Sequence, residues 1–126
     1  MTSPAEGERR HTLRTAVARY EELRSREVLD GLAADDVLEL LALSEVIARK
    51  AGYGRQLSVR NARAAGASWT AIGRALGTTK QAAWEAHTRW IDTQSAQHRG
   101  SGHEGFDDAE TAAARRLAGA PDDVVP

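Results

Sequence analysis

Three observations predict an all-α fold. No stretch alternates strictly between apolar and polar residues, and β-branched and aromatic residues do not cluster. Apolar residues instead recur at intervals of three and four between glycine or aspartate stops. At 126 residues the chain is long enough for one compact core with loose ends and too short for two ordinary domains. The expected layout is a flexible start over 1–7, a pair of core helices over 8–52 and a three-helix module over 53–92. A flexible acidic tail over 93–126 follows, with room for a short helix over 107–118.

The first helix is expected from about Glu8 to Leu29. Leu13, Val17, Tyr20 and Leu23 stand at spacings of four, three and three and line one face, and Asp30-Gly31 ends the pattern. Asp35 or Asp36 caps the second helix, whose Val37, Leu38, Leu40, Leu41, Val46 and Ile47 make a broad apolar stripe. It stops at Gly52, with Arg49 and Lys50 where cations suit the helix dipole. The breadth of this stripe leaves room for a second copy of the chain, and a homodimer is expected.

A short helix then runs to about Ala65, with Val59, Ala62 and Ala65 on one side. Ser68 is placed to cap the next helix, where Trp69, Ile72 and Leu76 form an apolar face and Gly77 supplies the left-handed stop. Thr78 or Thr79 caps a last helix reaching Trp90 or Ile91, with Thr79, Ala83, Ala86 and Trp90 on the inner side. Two helices joined by a tight glycine turn, with small residues on the inner side of the second, have the helix-turn-helix arrangement. At 100° per residue, Gln81, Trp84, Glu85 and Thr88 then project outward with Lys80 beside them. Lys80 and Gln81 stand where a recognition helix offers side chains to base edges, and glutamine pairs bidentately with adenine. Trp84 has two readings, contact with sugar and thymine methyl groups or a fold back over the core, and its bulk favours the core edge.

Charge points the same way. Residues 51–91 hold six basic groups and one acidic group, a net charge of +5, while residues 1–50 and 92–126 carry −2 and −4. This asymmetry suits a polyanion partner for the middle segment, and an ordinary solvated arginine face would produce it equally well. The run VRNARAAGASWTAIGRALGTTKQAAWEAH, residues 59–87, resembles the tri-helical helix-turn-helix of small actinobacterial DNA-binding regulators, itself similar to the fourth region of sigma factors. The likeness rests on Ala64-Ala65-Gly66, Ser68-Trp69, Ile72-Gly73, Leu76-Gly77 and Gln81-Ala82-Ala83. It implies double-stranded DNA as the partner and Thr79, Lys80, Gln81, Trp84, Glu85 and Thr88 as the base-facing set. For phosphate, Ser68, Thr70 and Thr78 would offer hydroxyls and helix N-terminal amides. Arg55, Arg60, Arg63, Arg74 and Arg89 would neutralise the backbone.

Residues 92–105, DTQSAQHRGSGHEG, show no hairpin signal, so no wing is expected and the stretch reads as a linker. The tail beyond it is expected to be mostly disordered, to compete with DNA for the basic surface or to bind a protein partner. Cysteine is absent, which excludes thiolate metal sites and disulfides and fits a reducing compartment. Neither a signal peptide nor a membrane span is evident, so a cytoplasmic, nucleoid-associated protein is expected. His11, His87, His98 and His103 form no ligand pair at helical spacing and read as solvated, and Asp35-Asp36 and Asp107-Asp108 read as helix caps. No phosphate loop, dinucleotide fingerprint or nucleophile elbow occurs, so neither an enzyme nor a cofactor is expected. The competing functional class is a protein-interaction adaptor of the transcription machinery built on the same helices, and a sequence-nonspecific nucleoid protein is a third reading.

Overall fold

A computed structural model describes residues 3–122, and among these the regular structure is entirely helical. The chain divides into two compact units, Met1–Arg55 and Gln56–Pro126. Each has its own apolar cluster, where the sequence suggested a single core.

The first unit holds α1 (Pro4–Arg10), α2 (Leu13–Asp30) and α3 (Ala34–Tyr53). One helix from Glu8 was expected; instead the chain is helical from Pro4 and breaks at His11-Thr12. Both ends of the break are dictated locally. The Ser3 side chain accepts the Glu6 N–H and starts α1, with proline at the first helical position where its missing N–H costs nothing. Thr12 accepts the Thr15 N–H while Thr15 returns the contact, so a capping box restarts the chain as α2.

Ala16 and Leu23 of α2 and Leu40, Leu43 and Val46 of α3 form the first core. Leu13, expected on the buried face, is 40% exposed, because the face centres on Ala16, Tyr20 and Leu23. Arg19 clamps Glu39 across the helix pair with two bonds of 2.8 and 2.9 Å. Leu38 and Leu41 lie outside the packed face, 57% and 60% exposed. The stripe on α3 is thus broader than its neighbours in the unit cover.

The second unit continues α4 (Arg55–Ala64) and adds α5 (Trp69–Leu76), α6 (Lys80–Ser101) and α7 (Asp108–Ala118). Val59, Trp69, Ile72, Ala83, Ile91, Ala114 and Ala118 form its core, with Trp84, Trp90 and Phe106 packed around it. Residues 93–126 were expected to be mostly disordered, and over the described part they are not. α6 runs ten residues beyond Ile91 because Ala83, His87, Ile91 and Ser95 repeat at intervals of four and share a buried face. Gly102 ends it in the left-handed conformation, and the Phe106 N–H donates to Gln94 O at 3.0 Å to return the chain.

Asp107 and Glu110 then close a capping box, and α7 buries Thr111, Ala114 and Ala118. The short helix expected over 107–118 is therefore present and packed. Its small side chains let the backbone approach α6, where bulk would hold it away. Arg115 reaches Asp92 at 2.7 Å along the same pair.

Candidate functional site

The connection between α5 and α6 is built to be tight. Ser68 accepts the Ala71 N–H at 3.1 Å and opens α5. Gly77, at φ 73°, closes it in the left-handed region that a side chain would strain. Thr79 accepts the Ala82 N–H at 3.0 Å and opens α6. The Thr78 N–H donates back to Gly73 O at 2.8 Å. A Cβ on Gly73 would lie 2.9 Å from both Thr78 O and Thr79 C, so the α6 entry rests directly on the α5 backbone.

The exposed side of α6 is polar. Thr79, Lys80, Gln81, Glu85 and Arg89 are exposed and Thr88 is half-buried. Gln81, Glu85 and Arg89 follow one another at i+4 on one stripe, and Gln81 Nε2 donates to Glu85 Oε1 at 2.9 Å. That bond uses one of the two amide N–H donors of Gln81. Thr88 donates its hydroxyl to Glu85 O at 3.0 Å. Thr70, Arg74 and Thr78 are exposed on α5 and the turn, and Ser68 is half-buried. The cap oxygens of Ser68 and Thr79 already accept from their own helices, which leaves each hydroxyl proton for an outside acceptor.

Not all of the expected DNA-facing residues stand free at the surface of the second unit. Of its two readings Trp84 takes the core edge and leaves the base-facing set: it packs against the core and its Nε1 donates to Gly119 O at 2.6 Å. The packed face of α6 runs through 83, 87, 91 and 95, a rotation from the expected Thr79, Ala83, Ala86, Trp90 face that carries Trp84 inward. Arg63 is 2% exposed and is not free for a phosphate. Its Nε donates to Leu117 O at 3.2 Å, its Nη1 to Ala67 O at 3.1 Å and its Nη2 to Ala118 O at 3.4 Å, because the end of α7 arrives there with unmet carbonyls. Arg55 opens α4 at the boundary of the two units and so is not among the residues the second unit gathers. Arg60 is half-buried, with its guanidinium 5.5 Å from the Phe106 ring centroid.

His87, expected to be solvated, is 1% exposed. Its ring stacks on Trp90 with centroids 5.4 Å apart and meets Trp69 at 5.6 Å. Nδ1–H donates to Gln56 Oε1 at 2.9 Å. Burial pushes its pKa down to about 4, and the charges of Arg60 and Arg63 act in the same direction. The alternation of small residues around positions 83–91 makes this an inward position, a signal that sequence inspection missed. Sequence inspection also missed the pairing of Lys80 Nζ with the Asp122 carboxylate, for which the sequence carries no local signal.

Among the described residues no group of three histidine, cysteine, aspartate or glutamate side chains is arranged to hold a metal ion, and no helix is long and apolar enough to cross a membrane. What α5 and α6 present together is a row of hydroxyl, amide, ammonium and guanidinium donors around a helix start, with Glu85 as the carboxylate on the α6 stripe. Compared with family models, with curated proteins and with solved structures, the chain finds no match in any of the three.

Proposed function

We propose that the chain is a DNA-binding protein, a transcriptional regulator whose α5, turn and α6 act as a helix-turn-helix with the first turns of α6 in the major groove. The observation that carries this reading is the pairing of a tight α5–α6 connection, closed on Gly73 and Gly77, with an exposed polar stripe at the start of α6. Thr79, Lys80, Gln81, Glu85 and Thr88 are the base-facing set. Gln81 makes a two-point contact with adenine, a pairing worth roughly 1–3 kcal/mol of discrimination. Ser68, Thr70 and Thr78 supply hydroxyl and amide donors to phosphate, and Arg60, Arg74 and Arg89 supply charge. With Arg63 spent inside the fold, the number of phosphates neutralised is modest. A paired half-site is the ordinary remedy, and the exposed Leu38 and Leu41 of α3 are the face we assign to a homodimer. A nucleoid-associated place in the cytoplasm follows from the same reading.

The test is anisotropy of dye-labelled duplexes, a random pool against fragments from upstream of the chain's own coding sequence, at several salt concentrations. About four phosphate contacts would give a slope of log affinity against log salt near −3.6. Binding that follows such a slope and is tighter for some upstream fragments supports a regulator. The same slope without preference identifies a nucleoid-type protein. No binding at low salt by the intact chain overturns the DNA reading and leaves an adaptor that works through the exposed face of α3.

A further inference from the structure

The end of α7 is held by donors from three other helices. The last carbonyls of a helix have no partner within it. Here Arg63 of α4 donates to Leu117 O and Ala118 O, Trp69 of α5 donates Nε1–H to Ala118 O at 2.8 Å, and Trp84 of α6 donates Nε1–H to Gly119 O at 2.6 Å. These bonds fix residues 117–119 against the second unit's core. Only Ala120 and Pro121 separate that clamp from Asp122, and the ring of Pro121 limits how the short connection turns. Asp122 is thereby delivered to the first residue of α6, where its carboxylate pairs with Lys80. The clamp consumes the one large aromatic of the α6 start, and the carboxylate occupies the ammonium of the first residue of α6.

We infer that residues 119–122, leaving α7, are a tethered acidic strap that competes with DNA for Lys80 and the first turn of α6. This rests on the DNA-binding reading and adds a regulatory element to it. Both partners are exposed, at 47% for Lys80 and 80% for Asp122, so the contact is weak and screened by salt. Its effect is a brake on binding of roughly two- to fivefold at low salt, the range of an exposed ion pair. Removal of the whole tail would not test it, because residues 93–118 complete α6 and α7.

The experiment compares the intact chain with Asp122→Asn, using Glu104→Gln beyond the far end of α6 as a control for the loss of one negative charge. The probes are a dye-labelled random duplex at low salt and the rate at which an amine-reactive ester labels Lys80, read by mass spectrometry. Lys50, the other lysine of the chain, is the internal reference. Asp122→Asn is expected to bind duplex two- to fivefold tighter than the intact chain, with Glu104→Gln near the intact value and Lys80 labelled faster relative to Lys50. Equal affinities of Asp122→Asn and Glu104→Gln overturn the competition, whatever the labelling shows. If none of the three proteins binds duplex, the DNA reading falls and the competition with it, and the labelling ratio alone then reports whether the strap contact exists.

Discussion

His87 shows how one buried side chain ties this protein to pH. Its pKa of about 4 in the folded state lies below the ordinary 6.5, so between those values the unfolded chain binds more protons than the folded one. Its contribution to stability is full above about 6.5 and is lost as pH falls toward 4. The second unit is expected to lose hydrogen-exchange protection in α5 and α6 between pH 6.5 and 4.5. His87→Gln should flatten that slope even if it lowers stability at neutral pH; an unchanged slope would show that another group carries it. Arg63 makes a different demand. Arg63→Ala would take the side-chain donor from Leu117 O and Ala67 O, leave Ala118 O to Trp69 alone and open a void beneath α7, and should cost roughly 2–4 kcal/mol in urea denaturation. Thr111 offers the opposite case, since its buried Oγ1 has no hydrogen-bond partner among the described residues. Thr111→Val keeps the shape and removes the unmet hydroxyl, so it should raise the urea midpoint by an amount equivalent to about 1 kcal/mol.

Elements show where sequence was sufficient and where it was not. Helices α3, α5 and the start of α6 were legible because each has an apolar face of bulky residues and a clear boundary: Gly54 after α3, Ser68 and Gly77 around α5, and Thr79 before α6. The expected cap by Asp35 or Asp36 is not made: Ala33 stands at the N-cap without a side-chain bond, and both aspartates lie in the first turn, where the helix dipole favours them. The break at His11-Thr12 was not, because a threonine capping itself with Thr15 looks like any two polar residues in a helical run. The second half of α6 and all of α7 were hidden for a physical reason. Ser95, Thr111, Ala114 and Ala118 bury little apolar surface each and gain their packing from close backbone approach, which hydrophobic periodicity does not register. The orientation of α6 failed for a related reason: alanines at 82, 83 and 86 are compatible with several rotations, and the histidine that fixes the true one reads as polar. At this scale the decisive residue is Gly73. Gly73→Ala would put a methyl group within 3 Å of the α6 entry, and a loss of roughly 1–3 kcal/mol in thermal or urea unfolding is expected. Duplex affinity should fall with it, since the entry to α6 must move; a stable Gly73→Ala protein with unchanged binding would show that the α5–α6 geometry does not set the interface.

At the scale of the whole molecule, the function we propose assigns a different task to each of the two units. The first unit pairs Arg19 with Glu39, Arg24 with Glu27 and Arg26 with Asp36, and leaves leucines exposed on α3. The second unit spends Arg63 internally and leaves Arg74 and Arg89 exposed. Leu38→Glu combined with Leu41→Glu should therefore shift sedimentation toward the monomer without changing the salt slope per protomer. Monomeric behaviour of the unaltered chain at working concentrations would remove the dimer assignment. The positive charge of residues 51–91 does not make the second unit basic as a whole, because the acidic residues of 92–126 belong to the same unit. The aromatic residues are divided too. All three tryptophans, Trp69, Trp84 and Trp90, belong to the second unit, and both tyrosines, Tyr20 and Tyr53, belong to the first. The intrinsic emission of the protein is consequently a two-channel recorder. Light absorbed by indole alone reports the melting of the second unit, and the tyrosine signal left over reports the first. Trp84, bonded to Gly119, places one emitter at the root of the strap, so a strap displaced by DNA should change the colour of that emission before either unit unfolds.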